Sequence, residues 1–178
     1  MARVDGGARG NPGPAGFGVV IEDSSGRRID EISRFVGHAT NNVAEYSGLI
    51  AAMEYALHAG ERALKVYSDS ELLVRQVNGT YKVKSPGLVE LHAKVKRLQR
   101  DFEWFQIEHV LRGQNREADR LANLAMDQGM GRATSTPAVA TPGTRQVAQE
   151  FEGVVRDGKV QVRGSLPEGA RVRIRVVD

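Results

Sequence analysis

The sequence predicts an α/β fold: a mixed sheet of five strands flanked by helices, with a small β segment at the C-terminal end. Three observations carry that expectation. Short runs of alternating apolar residues mark strands, and longer runs with apolar residues at helical spacing mark helices. Their order is β β β α β α α β α, which suits one sheet with helices packed on it. At residue 129 the composition turns to Gly, Ala, Thr and Pro, as in a linker. The expected organisation is a domain over residues 1–128, a linker over 129–149 and a small β module over 150–178.

The 178 residues are 40% apolar and 26% charged, the balance of a globular protein. No apolar run approaches the roughly 20 residues of a membrane helix, so no membrane is expected as a partner. No signal peptide is expected ahead of Asp5. The chain has no cysteine, which excludes disulfides and thiolate metal sites and favours the cytoplasm. The net charge is +3, yet residues 1–128 hold 17 Lys+Arg against 17 Asp+Glu. Overall charge is therefore a poor argument for nucleic acid, and polyanion binding by this part must come from local geometry.

The elements follow in order. Residues 2–5 form a short strand ending at Asp5, and a Gly/Pro loop spans 6–14. Residues 17–23 alternate Phe17, Val19 and Ile21 with smaller residues. After the Ser24-Ser25-Gly26 turn, residues 27–36 return as a second strand, with a break at 37–40. Asn41-Asn42 caps a helix to His58 whose apolar face carries Val43, Leu49, Ile50, Met53, Ala56 and Leu57, and Gly60 closes it. Residues 63–67 are a strand. Ser70 caps a helix to Asn78 with Leu72, Leu73, Val74 and Val77 inside. Pro86 opens a helix to about residue 101, with Leu88, Leu91, Val95 and Leu98 inside and Lys94, Lys96, Arg97 and Arg100 largely outside. Residues 103–111 form a strand with Trp104 in the core, Arg112-Gly113-Gln114 a turn, and Asn115 caps a helix to about residue 128. Beyond the linker, strands are expected at 154–156, 160–163 and 170–177, with a turn at Asp157-Gly158. Val172, Ile174 and Val176 share one face of the last strand and Arg171, Arg173 and Arg175 the other.

Four acids stand out by position. Asp5 and Asp69 end strands; Glu45 and Asp119 lie in the first turns of helices. Taken singly, each has an ordinary explanation as a cap or a partner of the helix dipole. Strand ends and helix starts are also where open α/β sites form. Converging carboxylates repel one another unless cations sit between them, and hard oxygen ligands without cysteine select Mg²⁺ or Mn²⁺. Two ions ~4 Å apart in such a cage would clamp the attacking and leaving oxygens of a phosphodiester.

Four stretches in one order carry a resemblance: DGGARGNPGPAGFG, TNNVAEYSGLIAAMEYA, YSDSELLVRQVNG and HVLRGQNREADRLAN. Residues 2 to about 128 closely resemble a type 1 ribonuclease H, in the bacterial and archaeal variant without the long basic insertion. The resemblance implies the ribonuclease H-like sheet and an endoribonuclease that cuts the RNA strand of RNA–DNA hybrids, leaving 5′-phosphate and 3′-hydroxyl ends. It implies that Asp5, Glu45, Asp69 and Asp119 are the catalytic acids and hold two Mg²⁺ (or Mn²⁺) ions. It implies substrate contacts at Gly6, Gly10, Asn11, Thr40, Asn41, Asn42 and Glu71, the last standing where many relatives carry Gln. The family also places a turnover-assisting histidine ten residues before the last acid. His109 stands at that count but falls inside a predicted strand, so Arg112 in the turn is favoured and His109 comes second.

Two other readings stay open. One is a polynucleotide-processing domain of the same fold with a different substrate; the other is a non-catalytic hybrid-binding module. Residues 150–178 are too few to hold a core alone, so they either dock on the catalytic domain or pair with another copy through their strand edges.

Overall fold

In a computed structural model of the chain, the described residues are 1–131, 153–156 and 159–162. The chain divides into two units, Met1–Thr136 and Pro137–Asp178.

The first unit is a five-stranded sheet: β1 (Ala2–Ala8), β2 (Gly13–Glu22), β3 (Arg28–Ala39), β4 (Ala63–Ser68) and β5 (Trp104–His109). Their spatial order is β3-β2-β1-β4-β5. β1 runs antiparallel to β2 and parallel to β4, and β4 is parallel to β5. The sheet is thus mixed, as expected.

β1 departs from the expectation most. It continues past Asp5 to Ala8, and the loop shrinks to residues 9–12. The β1–β2 register runs unbroken from Ala2↔Ile21 to Ala8↔Ala15, so the glycines continue the ladder instead of ending it. Asp5 is therefore mid-strand, in the central strand of the sheet. β3 likewise runs through the expected break to Ala39, aided by Gly37 at φ +87°.

Helix α1 (Asn41–His58) is capped by Thr40, whose hydroxyl accepts the Val43 N–H at 3.3 Å; Asn41 and Asn42 are already helical. Ser70 caps α2 (Glu71–Val77) by accepting from the Leu73 N–H, as expected. Leu72 points outward, because a helix this short covers only one side. Helix α3 (Pro86–Gln99) follows, with Leu88 and Val95 buried. Two of its three Lys and Arg residues serve packing: Lys96 donates to the Val77 carbonyl at 2.6 Å and Lys94 pairs with Glu54 at 2.7 Å; Arg100 is the C-cap. A 3₁₀ turn, Arg112–Gln114, leads into α4 (Arg116–Gly129).

The main core lies between the sheet and α1, α2 and α3, and includes Val4, Phe17, Val19, Tyr46, Leu49, Met53, Val66 and Val95. α4 packs on the opposite face, over β1, β2 and β3. Trp104 is 48% exposed and not in the core: it opens the edge strand β5. No helix among the described residues is long and apolar enough to cross a membrane.

In the second unit, β6 (Gly153–Arg156) pairs antiparallel with β7 (Lys159–Val162). The turn at 157–158, residues 132–149 of the expected linker and the expected strand at 170–177 lie outside the described residues.

Candidate active site

The alternation of β1 divides its residues between two faces. Ala2 and Val4 are buried with the main core. Asp5 and Gly7 lie on the other face and line a cavity with α4. Gly6 is the point of closest approach to α1: a Cβ there would strike the backbone of Ala44 and Glu45. That contact brings Glu45 beside β1. Glu45 lies in the second turn of α1 rather than the first, so the helix dipole does not account for it. Asp69 follows directly on β4, and Asp119 sits in the first turn of α4.

All four acids line one cavity of about 510 Å³, together with Arg9, Asn41, Arg112 and Asn123. Each carboxylate has a protein partner. Asp5 accepts the Gly6 N–H at 2.8 Å. Glu45 accepts the Ser70 hydroxyl at 2.5 Å. Asp69 accepts Asn115 Nδ2 at 2.7 Å. Asp119 accepts Arg112 Nη2 at 3.0 Å and Asn123 Nδ2 at 3.2 Å.

The clustering shows in the proton affinities. Burial pushes Asp5 up to about 7, with the charges of Asp69 and Asp119 adding and the Gly6 N–H opposing. Burial also pushes Glu45 up to about 7, against the Ser70 hydroxyl and with the help of Asp69. Arg112 is raised further, first by its hydrogen bond to Asp119 and then by the field of the acids.

Among the described residues, no three Asp, Glu or His side chains stand as a ready-made ligand set for a metal ion. The acids instead face the cavity with oxygens turned to protein donors. The group still fits a divalent cation. Its donors are hard oxygens, and its ionised forms are held at a cost that a counter-charge would remove.

The other expected residues are placed unevenly. Gly6 and Asn41 line the cavity; Gly10, Asn11, Thr40, Asn42 and Glu71 do not. Asn41 and Asn11 are tied together, since the Asn41 N–H donates to Asn11 Oδ1 at 3.2 Å and Asn41 Oδ1 accepts the Ala8 N–H at 2.7 Å. Glu71 pairs with Arg75 at 2.5 Å. Arg112 reaches the cavity; His109, the last residue of β5, is exposed and outside its lining.

Sequence reasoning missed Asn115. It stands at the N-cap position, but its side chain does not cap. It is fully buried, and its Nδ2 donates to both the Val4 carbonyl at 2.8 Å and Asp69. It thereby ties the acid after β4 to the central strand. Reading it as a cap hid that role; the available signal was its spacing, four residues before Asp119. Ser70, Asn123 and Arg9 were missed as well.

A mixed five-stranded sheet with an acid-lined cavity beside its central strand defines the ribonuclease H-like class of fold. Comparison with known proteins agrees. Residues 3–125 match the family model described as reverse transcriptase-like. Ribonuclease HI of Halobacterium salinarum is 40% identical over 126 residues, covering 71% of this chain and 63% of that protein. Its crystal structure superposes with a TM-score of 0.69, covering 71% of this chain and 96% of that one. LC11-RNase H1, isolated from compost by a metagenomic approach and solved with an RNA/DNA hybrid, is 44% identical. It gives a TM-score of 0.69 over 72% of this chain and 97% of that one. The bifunctional protein Rv2228c of Mycobacterium tuberculosis is 45% identical over 143 residues, 80% of this chain; the chain spans 38% of that relative's length. The chain belongs to the type 1 ribonuclease H family. Members of this family depend on divalent metal ions.

Proposed function

We propose that residues 1–128 form an endoribonuclease that hydrolyses the RNA strand of RNA–DNA hybrids, leaving 5′-phosphate and 3′-hydroxyl ends. The observation that carries this reading is the meeting of Asp5, Glu45, Asp69 and Asp119, from three elements and the bend after β4, in one cavity beside the backbone of Gly6 and Gly7. The hybrid bound by LC11-RNase H1, at 44% identity, supports the substrate class.

In this reading the four carboxylates hold two Mg²⁺ or Mn²⁺ ions, which when bound supply positive charge to the attacking and leaving oxygens. The chain's own residues do the rest. Asn115 holds Asp69 and Ser70 holds Glu45 in place. The backbone around Gly10 and Asn11, with Glu45, reads the 2′-hydroxyl that separates RNA from DNA. Thr40, Asn41, Asn42 and Glu71 position the strands. Phosphate and shape contacts carry little sequence information, so cleavage shows weak sequence preference. Arg112, held against Asp119 and 80% exposed along its side chain, assists turnover. A cytoplasmic setting goes with the cysteine-free composition.

The test is incubation with labelled RNA–DNA hybrid, duplex DNA and duplex RNA, with Mg²⁺ or Mn²⁺ and then with chelator. Metal-dependent cut products from the hybrid's RNA alone are expected. Cleavage of duplex DNA would move the reading to another nuclease of this fold, and binding without cleavage to a hybrid-binding module. Asp69→Asn should lower turnover by at least about 10³-fold while hybrid binding stays measurable. Retained turnover would remove Asp69 from the site.

A further inference from the structure

Two arginines line the cavity, and the proposed chemistry uses only Arg112. Arg9 opens the short β1–β2 loop. Its Nη2 donates to Asp127 Oδ1 at 2.8 Å, and both side chains are partly exposed. Among the described residues this is the only partner of its five N–H donors.

The loop does not depend on that pair. The Arg9 N–H donates to the Pro14 carbonyl at 2.8 Å, and Asn11 and Asn41 tie the loop to the start of α1. The Arg9 side chain is thus free to exchange partners while its backbone stays fixed. A partly exposed ion pair contributes little net stability, so the exchange is cheap.

The placement adds direction. Arg112 pairs with Asp119 and Arg9 with Asp127, eight residues apart on α4. Along a helix axis that is about 12 Å. Between them, Ala122, Asn123 and Met126 of α4 line the same cavity. A polyanionic strand lying along an acid-rich cavity needs cations where it enters and leaves. A guanidinium fork matches a phosphate's geometry as well as its charge.

We infer that Arg9 grips a backbone phosphate of the cleaved strand, at the end of the cavity away from Arg112, with Asp127 holding the guanidinium ready in the free protein. The inference rests on the hybrid-cleaving reading above, and goes beyond it in assigning a phosphate contact to this side chain.

The experiment compares wild type, Arg9→Ala, Arg9→Lys and Asp127→Asn on a labelled hybrid across a series of KCl concentrations. It measures cleavage with Mg²⁺ and equilibrium binding in chelator. Arg9→Ala should raise KM about tenfold at 0.1 M salt, acting through KM rather than kcat. It should also make the slope of log binding constant against log salt about one unit shallower, one phosphate contact being lost. Arg9→Lys should keep the slope and recover part of the affinity, as a point charge without the fork. Asp127→Asn breaks the same ion pair, yet should keep the wild-type slope. An unchanged slope in Arg9→Ala overturns the proposal. So does an Asp127→Asn variant that reproduces Arg9→Ala, because the pair would then be merely structural. A wild type that binds hybrid but does not cut it sinks the activity alone, and the binding slopes still decide for or against Arg9.

Discussion

The two faces of β2 are packed by opposite means. Toward α1, Phe17, Val19 and Ile21 meet Tyr46, Leu49, Ile50 and Met53, all large and buried. Toward α4, β2 offers Gly16, Gly18 and Val20, and the helix answers with Ala118, Leu121, Ala122 and Ala125. A Cβ on Gly18 would strike the Ala118 carbonyl and Ala122 nitrogen, and one on Gly16 would lie 2.8 Å from Ala125 Cβ. The first face buries apolar volume and supplies stability. The second brings a helix backbone down onto the sheet, and so sets where Asp119 stands relative to Asp5. On β2, stability and the placing of Asp119 are thus handled on opposite faces, while Glu45 is placed from the α1 side through Gly6 of β1.

That division can be broken or sharpened by substitution. Leu49→Ala should cost the most stability, about 3 kcal/mol by chemical denaturation, because it opens a cavity in the α1 face. Its kcat at low temperature should stay within about twofold of wild type. A large loss of kcat in the folded variant would show that the apolar β2–α1 packing, and not only the Gly6 contact with α1, sets the site.

Gly18→Ala should cost about 2 kcal/mol as overpacking, and in the folded fraction should lower kcat about tenfold by lifting α4 and Asp119. Unchanged kcat would mean that the close approach does not position Asp119.

Asp5→Asn should act in the opposite sense on stability. The Asp5 carboxyl is raised to about 7 in the fold, well above its ordinary value near 4. The folded state therefore binds the extra proton. In chelator, wild-type stability should fall as pH rises from about 4 to about 7, and the neutral Asn should remove part of that fall. At pH 7.5 the gain should be on the order of 2 kcal/mol, with activity lost. A wild type whose stability is flat across this window would deny the clustering of charge.

The smallest effect concerns turnover. Arg112→Ala should slow kcat several-fold and His109→Ala less, since only Arg112 lines the cavity. The reverse order would return the role to His109.

Much of the fold was legible in residue order because apolar period reports which residues face a core. Val95 and Leu88 on α3 and Leu49 and Met53 on α1 are buried as their spacing predicts. The errors share a cause. The strand length of β1, the continuation of β3 through Gly37 and the exposure of Trp104 depend on what the neighbouring strands and helices supply, which local pattern does not carry. Glycines 6 and 7 read as a loop by propensity, but a full register with β2 keeps them extended. Asn115 read as a cap, but tertiary contact claimed its side chain for Val4 and Asp69.

The four acids, the family they belong to and the interleaving of strands and helices were written in the chain, because residue type, spacing and motif order survive without three-dimensional contact. Packing alone decided that Asp5 sits mid-strand in the centre of the sheet, that Gly6 lets α1 close on it, that Gly16 and Gly18 let α4 approach from the other side, and that Arg9 and Arg112 reach the same cavity. These are relations between surfaces far apart in sequence. They exist only once the backbone of one element meets another, and the absence of a Cβ at the right glycine is what allows it.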